Sequence, residues 1–333
     1  MLKQKIIIQA LKRNRNTMSE DNITTVVNTF VFVDLISNPK FQIILFFLLL
    51  LIYTATLLGN LGIIALIRSS PQLHTPMYFF LSNLSFLDVC FSSVVTPRTL
   101  VNILVEKSIS LTGCAIQMYF VIGLASTECF LLGAMAYDRY VAICKPLLYP
   151  SIMSPRICIL LVIGSYILGL LHSLVQTVFT FRLSFCGSNK ISHLYCDISA
   201  LLLLSCSDTY LNELLIFCVA GSVETITALS VFISYAYILA NIVKISSAAG
   251  RLKAFSTCTS HLTAVTIFHG SILILHFRPK SSNGSSIQDV SDKILAVFYT
   301  TVTPLLNPLI YSLRNKEVKD AWSATQRKLC VKN

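Results

Sequence analysis

FQIILFFLLLLIYTATLLGNLGIIALI, running from Phe41 to Ile67, holds no Asp, Glu, Lys or Arg in 27 residues. Roughly 20 apolar residues suffice for a helix to cross the hydrocarbon core of a bilayer, so this stretch predicts a membrane span. Three further charge-free stretches follow: Ile157 to Phe181, Ala254 to Phe277 and Ile294 to Leu313. Another three have similar length but carry one internal acid each: Met77 to about Pro97 with Asp88, Cys114 to about Tyr137 with Glu128, and Leu214 to Val243 with Glu224. The fold class expected is an all-α membrane protein of seven helices. A β-barrel is disfavoured, because its strands run about 10 residues with alternating polarity.

Composition agrees. Of 333 residues, 54% are hydrophobic and 12% charged, where a soluble domain carries roughly 25% charged residues. The 20 Phe and 13 Tyr supply apolar bulk that a disordered chain lacks. With the N-terminus outside, the inner segments hold 13 of the 26 Lys and Arg, from Arg68 through Arg139, Lys145 and Arg251 to Lys332. Setting aside Lys3, Lys5, Lys12, Arg13 and Arg15 of the first 17 residues leaves 13 inside against 8 outside, which favours that orientation. Residues 1–17 read as an extension, and Met18 can serve as an alternative start. Ile6 to Leu11 is too short for the apolar core of a cleavable signal, so the first helix is expected to direct insertion. The net charge of +11 fits short inner loops facing anionic lipid; no nucleic-acid partner is expected.

Four of the 11 cysteines, Cys114, Cys186, Cys196 and Cys206, fall outside. An even outer set in an oxidising compartment implies two disulfides, with three connectivities open. A zinc site near His193 is the rival, but the spacings match no common zinc pattern. Asn22 and Asn283 head glycan sequons on outer segments. Asn83 heads a third, inside a span and inaccessible.

Motifs at the helix ends carry more. Met135-Ala136-Tyr137-Asp138-Arg139-Tyr140-Val141-Ala142-Ile143-Cys144-Lys145-Pro146-Leu147 closes the third span. Pro76-Met77-Tyr78-Phe79-Phe80-Leu81-Ser82-Asn83-Leu84-Ser85 opens the second, and Lys253-Ala254-Phe255-Ser256-Thr257-Cys258-Thr259-Ser260-His261-Leu262 the sixth. Pro304-Leu305-Leu306-Asn307-Pro308-Leu309-Ile310-Tyr311-Ser312-Leu313-Arg314-Asn315 closes the seventh. With Gly59-Asn60 and Ser234-Tyr235, the chain from about Phe30 to about Trp322 resembles the olfactory receptors, which are rhodopsin-like G-protein-coupled receptors. The implied organisation is an extracellular segment 1–39, a receptor domain 40–313, and a cytoplasmic amphipathic helix and tail 314–333, in the plasma membrane.

The resemblance implies roles. Arg139 pairs with Asp138 at rest and swings to a heterotrimeric G protein when active, with Tyr140, Tyr235, Asn307, Pro308 and Tyr311 forming the rest of the switch. From the residues alone, an Arg at a membrane border is also a snorkelling anchor. Pro308 removes a backbone hydrogen bond and kinks the seventh helix; Asn307 or water is expected to satisfy the freed carbonyl. Asp88 and Glu128 are costly inside a membrane, about 2.5 to 3.5 kcal/mol each. With Asn60 and Asn307 they form either a polar pocket for sodium or a shared proton, or a structural cluster. Family pattern pairs Cys114 with Cys196 and Cys186 with Cys206, stapling the loop from about Arg182 to Leu211 into a lid.

Specificity is expected in the outer halves of the helices. Met118, Ile122, Ala125 and Ser126 share a face of the third, and His269, Ile272, Leu273 and His276 a face of the sixth, suiting small, largely apolar ligands. His269 and His276 stand where the family commonly has tyrosines. Arg314 to Trp322 reads as a short amphipathic helix, with Cys330 a palmitoylation candidate. No enzyme chemistry, cofactor or structural metal is expected. A transporter is the alternative, but such proteins show internal repeats and paired broken helices, whereas only the seventh span is visibly broken. An intramembrane hydrolase would need Asp88 and Glu128 as its acid pair. A chemosensory receptor used outside the nose is a further possibility.

Overall fold

The computed structural model describes residues 27–33, 38–105, 107–186, 188–277, 293–314 and 316–332; side chains at 253, 256, 257, 275–277, 313, 314, 316 and 328–332 are not described. The long helices are α1 (Pro39–Ser69), α2 (Pro76–Leu104), α3 (Leu111–Cys144), α4 (Pro155–Phe181), α5 (Tyr210–Ile242), α6 (Ala248–Phe277) and α7 (Lys293–Ser312). Among the described residues, six of these are long and apolar enough to cross a membrane, and α6 adds a shorter apolar run, Cys258–Ile274. Together they make a seven-helix membrane bundle. A further helix, α8 (Lys316–Lys332), follows. It runs well beyond the Trp322 expected from its amphipathic start.

Helix starts follow local chemistry. Proline heads α1, α2 and α4, where its missing N–H costs nothing. Asn38 caps α1 by accepting from Lys40 N at 3.0 Å, and Ser110 caps α3 by accepting from Gly113 N at 3.1 Å. Inside the spans, serine and threonine hydroxyls return to carbonyls one turn back, as with Thr56 to Ile52 O at 2.8 Å and Thr127 to Gly123 O at 2.8 Å. That keeps their polar atoms satisfied where no water can reach.

The bundle is inverted relative to a soluble protein. Leu51, Leu58 and Phe232 are two-thirds exposed or more, while Asn60, Asp88 and Asp138 are buried. An apolar exterior around a polar interior is what a lipid solvent selects. α3 is the centre: 67% of its most apolar window is buried, against 11% for α1, and α2, α4, α5 and α6 all pack on it.

One end of the bundle carries a small sheet ordered β2-β1-β3. β1 (Thr29–Phe32) pairs antiparallel with β2 (Ser108–Ser110), Phe30 opposite Ile109, and parallel with β3 (Lys190–Ile191), Phe32 opposite Ile191. Phe30 is wholly buried and meets the Phe185 ring edge-on at 5.3 Å. Disulfides join Cys114 to Cys196 and Cys186 to Cys206 at this end. Helices α5 and α7 each contain a π-helical segment, Ile216–Ala220 and Phe298–Val302, so the seventh span is not the only one with an irregular turn.

Candidate functional site

At the end opposite the sheet, Asp138 closes α3 and is completely buried. Its Oδ2 accepts from Arg139 Nη2 at 2.6 Å and Nε at 3.0 Å, and its Oδ1 accepts from the Tyr149 hydroxyl at 2.8 Å. Tyr149 sits in a four-residue helical turn, Tyr149–Ile152. Burial first, then the Asp138 charge, push its phenol above the ordinary range, so it remains a donor. Sequence reasoning missed Tyr149. It also gave no role to His261, whose Nδ1 lies 2.7 Å from the Tyr235 hydroxyl, with the two rings stacked at 5.8 Å. Tyr235, His261 and Tyr311 lie near enough to Arg139 for its charge to reach each of them. Tyr140 stands apart, its ring against Tyr137 and Tyr237 and below Lys145 Nζ at 5.7 Å.

In mid-bundle, Asn307 Nδ2 donates to both oxygens of Asp88 at 3.1 Å. Glu128 is near enough to repel Asp88 and to interact with the Asn307 amide. Pro308 lacks the N–H that would reach Pro304 O, four residues earlier, and among the described residues the side chain that donates to this carbonyl is not Asn307. Asn60 Nδ2 of α1 donates to Pro304 O at 3.0 Å, and to Thr56 O at 3.0 Å. The reason is competition: the Asp88 carboxyl group already engages the Asn307 amide through both of its oxygens. Pro308 also packs on α1, where a Cβ added at Gly59 would lie 3.2 Å from its Cγ.

Towards the sheet end, the stripe on α3 divides. Met118 is buried in the cluster beneath the loop with Cys114, Cys196 and Leu201, and Ile122 packs against it. Ala125 packs on the main core. Ser126 Oγ donates to Ile122 O at 2.8 Å and lies 2.7 Å from His172 Nδ1 of α4. With its one proton so engaged, Ser126 accepts from Nδ1–H, and that fixes the His172 tautomer. On α6, His269 is buried and its Nδ1 lies 2.7 Å from Glu224 Oε1 of α5. Glu224 Oε2 accepts from Cys129 Sγ at 3.6 Å; Cys129 and His172 were not singled out as lining residues from the sequence, whereas Glu224, an acid inside a span, was open to facing either the ligand cavity or the bundle interior. Ile272 is half-buried against the core. Leu273 corrects the one-face reading: it is 43% exposed, because its position lies at the edge of the arc that His269 and Ile272 define. The side chains of His276 and Cys330, together with Asn22, Asn283 and residues 1–17, lie outside what the structure describes.

Above these groups, Gln117 ties α3 to its surroundings, donating to Val94 O at 3.3 Å and accepting from Cys196 N at 3.1 Å. Among the described residues, no three His, Cys, Asp or Glu side chains come together as a metal site.

Residues 49–331 match a family model described as olfactory receptor. Olfactory receptor 5T17 of Mus musculus is 54% identical over 309 residues, covering 92% of this chain and 94% of that protein. Olfactory receptor 5G3 of Homo sapiens is 52% identical over 304 residues, 91% and 96% of the two chains. Olfactory receptor 5T3 of Homo sapiens is 54% identical over 298 residues, 89% and 86%. With a model covering most of the chain and relatives at half identity across nine-tenths of it, this multi-pass membrane protein belongs to the olfactory receptor family.

Proposed function

We propose that the chain is an odorant receptor of the plasma membrane, with its N-terminal segment and sheet outside and α8 inside. Small, largely apolar molecules bind among α3, α5 and α6, and binding opens the opposite end to a heterotrimeric G protein that raises cyclic AMP. The observation that carries this reading is the similarity to named olfactory receptors over about nine-tenths of the chain. Met118, Ile122, Ala125, Ser126, His269 and Ile272 are the proposed contacts from the described residues.

The geometry supports a two-state device. Arg139 is held by the adjacent Asp138, and a G protein that offers its own acceptor competes with that single buried partner. Tyr235 and Tyr311, within reach of the Arg139 charge, are the groups that rearrange. Asp88, Glu128, Asn307 and the unpartnered Asn60 Oδ1 form a polar core in which a shared proton or one sodium ion relieves the repulsion of the acids.

A diverse odorant panel applied to cells carrying the receptor and a cyclic AMP reporter tests the reading. A saturable, ligand-dependent rise, absent from Arg139→Ala at equal surface expression, is expected. Purified protein that fails to accelerate GDP release from any Gα subunit, when loaded with an active odorant, would overturn it.

A further inference from the structure

His269 raises a question that the odorant reading leaves open. Its side chain is 7% exposed and that of Glu224 14%. Nδ1 is engaged with Glu224 at 2.7 Å, yet Nε2 is buried and has no partner. A buried polar atom left without a partner is destabilising, so the site calls for something that the protein itself does not supply.

Which kind of partner follows from the protons. If Glu224 is a carboxylate and His269 an imidazolium, Nδ1–H donates to Oε1 and Nε2 carries the second proton. If the carboxyl is protonated, its O–H donates to Nδ1, and the neutral ring must carry its proton on Nε2. Both of these arrangements are electroneutral as a pair. Only a third, a carboxylate beside a neutral ring, leaves Nε2 bare, and it places a net negative charge in a poorly hydrated interior, the costly option. Its neighbours do not reverse this. Cys129 Sγ donates to Oε2, which is compatible with either neutral arrangement. The rings around the pair are Phe268, edge-on to His269 at 5.4 Å, and Tyr299, which packs on Phe268 and Phe91.

The pair also lies where a ligand would end. Cys129 continues the α3 stripe of Ile122, Ala125 and Ser126 by one helical step, so Cys129, Glu224 and His269 join α3, α5 and α6 at the deep end of that stripe.

We infer that Glu224 and His269 form a hydrogen-bond-donating floor to the odorant site, selecting ligands that carry an acceptor oxygen, such as ketones, aldehydes and esters, over hydrocarbons and protonated amines of the same length. The inference rests on the odorant-receptor reading. Glu224 is a positioning residue: it orients the ring and keeps the proton on Nε2, while His269 makes the contact.

The test is a length-matched panel on the full receptor, with cyclic AMP as readout and surface expression measured in parallel. The probes are methyl hexyl ketone, hexyl acetate, octanal, octene and octylamine, with branched and aromatic counterparts of each. Agonists confined to the acceptor-bearing members are expected. Responses spread evenly over alkenes and ketones, or led by the amine, overturn the inference while leaving the receptor reading intact. Silence to the whole panel, and to a diverse panel beyond it, from protein present at the surface overturns both. For active ketones, His269→Phe is expected to raise the half-maximal concentration by about ten-fold or more. His269→Gln, which keeps an N–H donor, is expected to retain most of the preference, and Glu224→Leu to reduce it. If His269→Phe never reaches the surface, the wild-type panel and His269→Gln still decide. A ketone-to-alkene potency ratio unmoved in every variant that reaches the surface rules the floor out.

Discussion

Three hydrogen bonds converge on the Asp138 carboxylate, two from Arg139 and one from Tyr149. If they restrain the resting state, removing them raises signalling without ligand. Asp138→Asn, which weakens all three, is expected to raise basal cyclic AMP per surface receptor. Tyr149→Phe removes one bond of about 0.5–1.5 kcal/mol and is expected to raise it about two- to ten-fold. Unchanged basal signalling in both would mean the lock does not hold the inactive state. The Tyr149 contact also has a defined pH sense. Its phenol is raised by burial and by Asp138, so its contribution is intact below the ordinary tyrosine value of about 10 and disappears only as pH rises through the higher folded value. Alkalinisation from neutrality to about one unit below that ordinary value is therefore expected not to mimic Tyr149→Phe. The Asp138-Arg139 half of this lock is legible in the sequence because the two are adjacent. The Tyr149 half is not, since Tyr149 lies eleven positions further on, across a loop of no regular period. The Pro304 carbonyl gives a second residue-scale test. Asn60→Ala strands it and is expected to lower detergent thermal stability by about 1–3 kcal/mol. Pro308→Ala supplies the missing N–H within the helix, so the double variant is expected to be more stable than the sum of the two single losses. Simple additivity would show that Asn60 does not serve that carbonyl.

Between helices there is little hydrophobic drive in lipid, and close approach of small residues takes its place. The α3–α4 crossing shows the consequence. A Cβ built on Gly169 would lie 2.7 Å from Thr127 N and 2.8 Å from Gly123 O, and beside it Ser173 Oγ donates to Tyr119 O at 2.5 Å. Backbone atoms cannot step aside as a flexible side chain does, so Gly169→Ala is expected to destabilise the bundle by about 1–3 kcal/mol. Gly164, on the same helix, has nothing within 4 Å of where a Cβ would stand, and Gly164→Ala is the matched control. The comparison is of thermal midpoints of purified receptor, and equal midpoints would refute the close crossing. Apolar length is strongly written in the sequence, which is why the spans from Phe41 and Ile157 lie inside α1 and α4. Which glycine makes the crossing is not, because Gly164 and Gly169 sit in the same charge-free run and differ only in what α3 brings opposite them. The π-helical turns in α5 and α7 and the full extent of α8 are hidden for the same reason: they are settled by packing, not by local composition. The α3 stripe could be read from helical spacing, whereas the partners of its polar positions come from other helices, His172 of α4 beside Ser126 and Glu224 of α5 beside Cys129, and reach α3 only in the fold.

At the scale of the whole molecule, the outer cap assembles four separate parts of the chain. β1 inserts between β2 and β3, Leu111 N donates to Asn28 O at 3.0 Å, Gln117 bridges Val94 and Cys196, and the two disulfides staple the loop. The disulfides are not equivalent. Cys114–Cys196 spans 82 residues and joins α3 to the loop; Cys186–Cys206 spans 20 and stays within it. Chain entropy alone ranks them at roughly 4.5 and 3.3 kcal/mol, and because α3 and α4 inside the larger loop are already held by the bilayer, the difference in a membrane is smaller than that. What separates them further is position. Cys114 and Cys196 share a buried cluster with Met118 and Ile122, so breaking this bond loosens the ceiling above the α3 stripe, whereas breaking the other leaves that cluster's link to α3 in place. Cys114→Ser with Cys196→Ser is therefore expected to lower surface expression and thermal stability more, and to weaken agonist potency among the molecules that do reach the surface. Cys186→Ser with Cys206→Ser is expected to cost stability while leaving potency nearly unchanged. A potency loss equal in the two pairs would mean that the loop acts on the ligand site as one body, with no special coupling through α3.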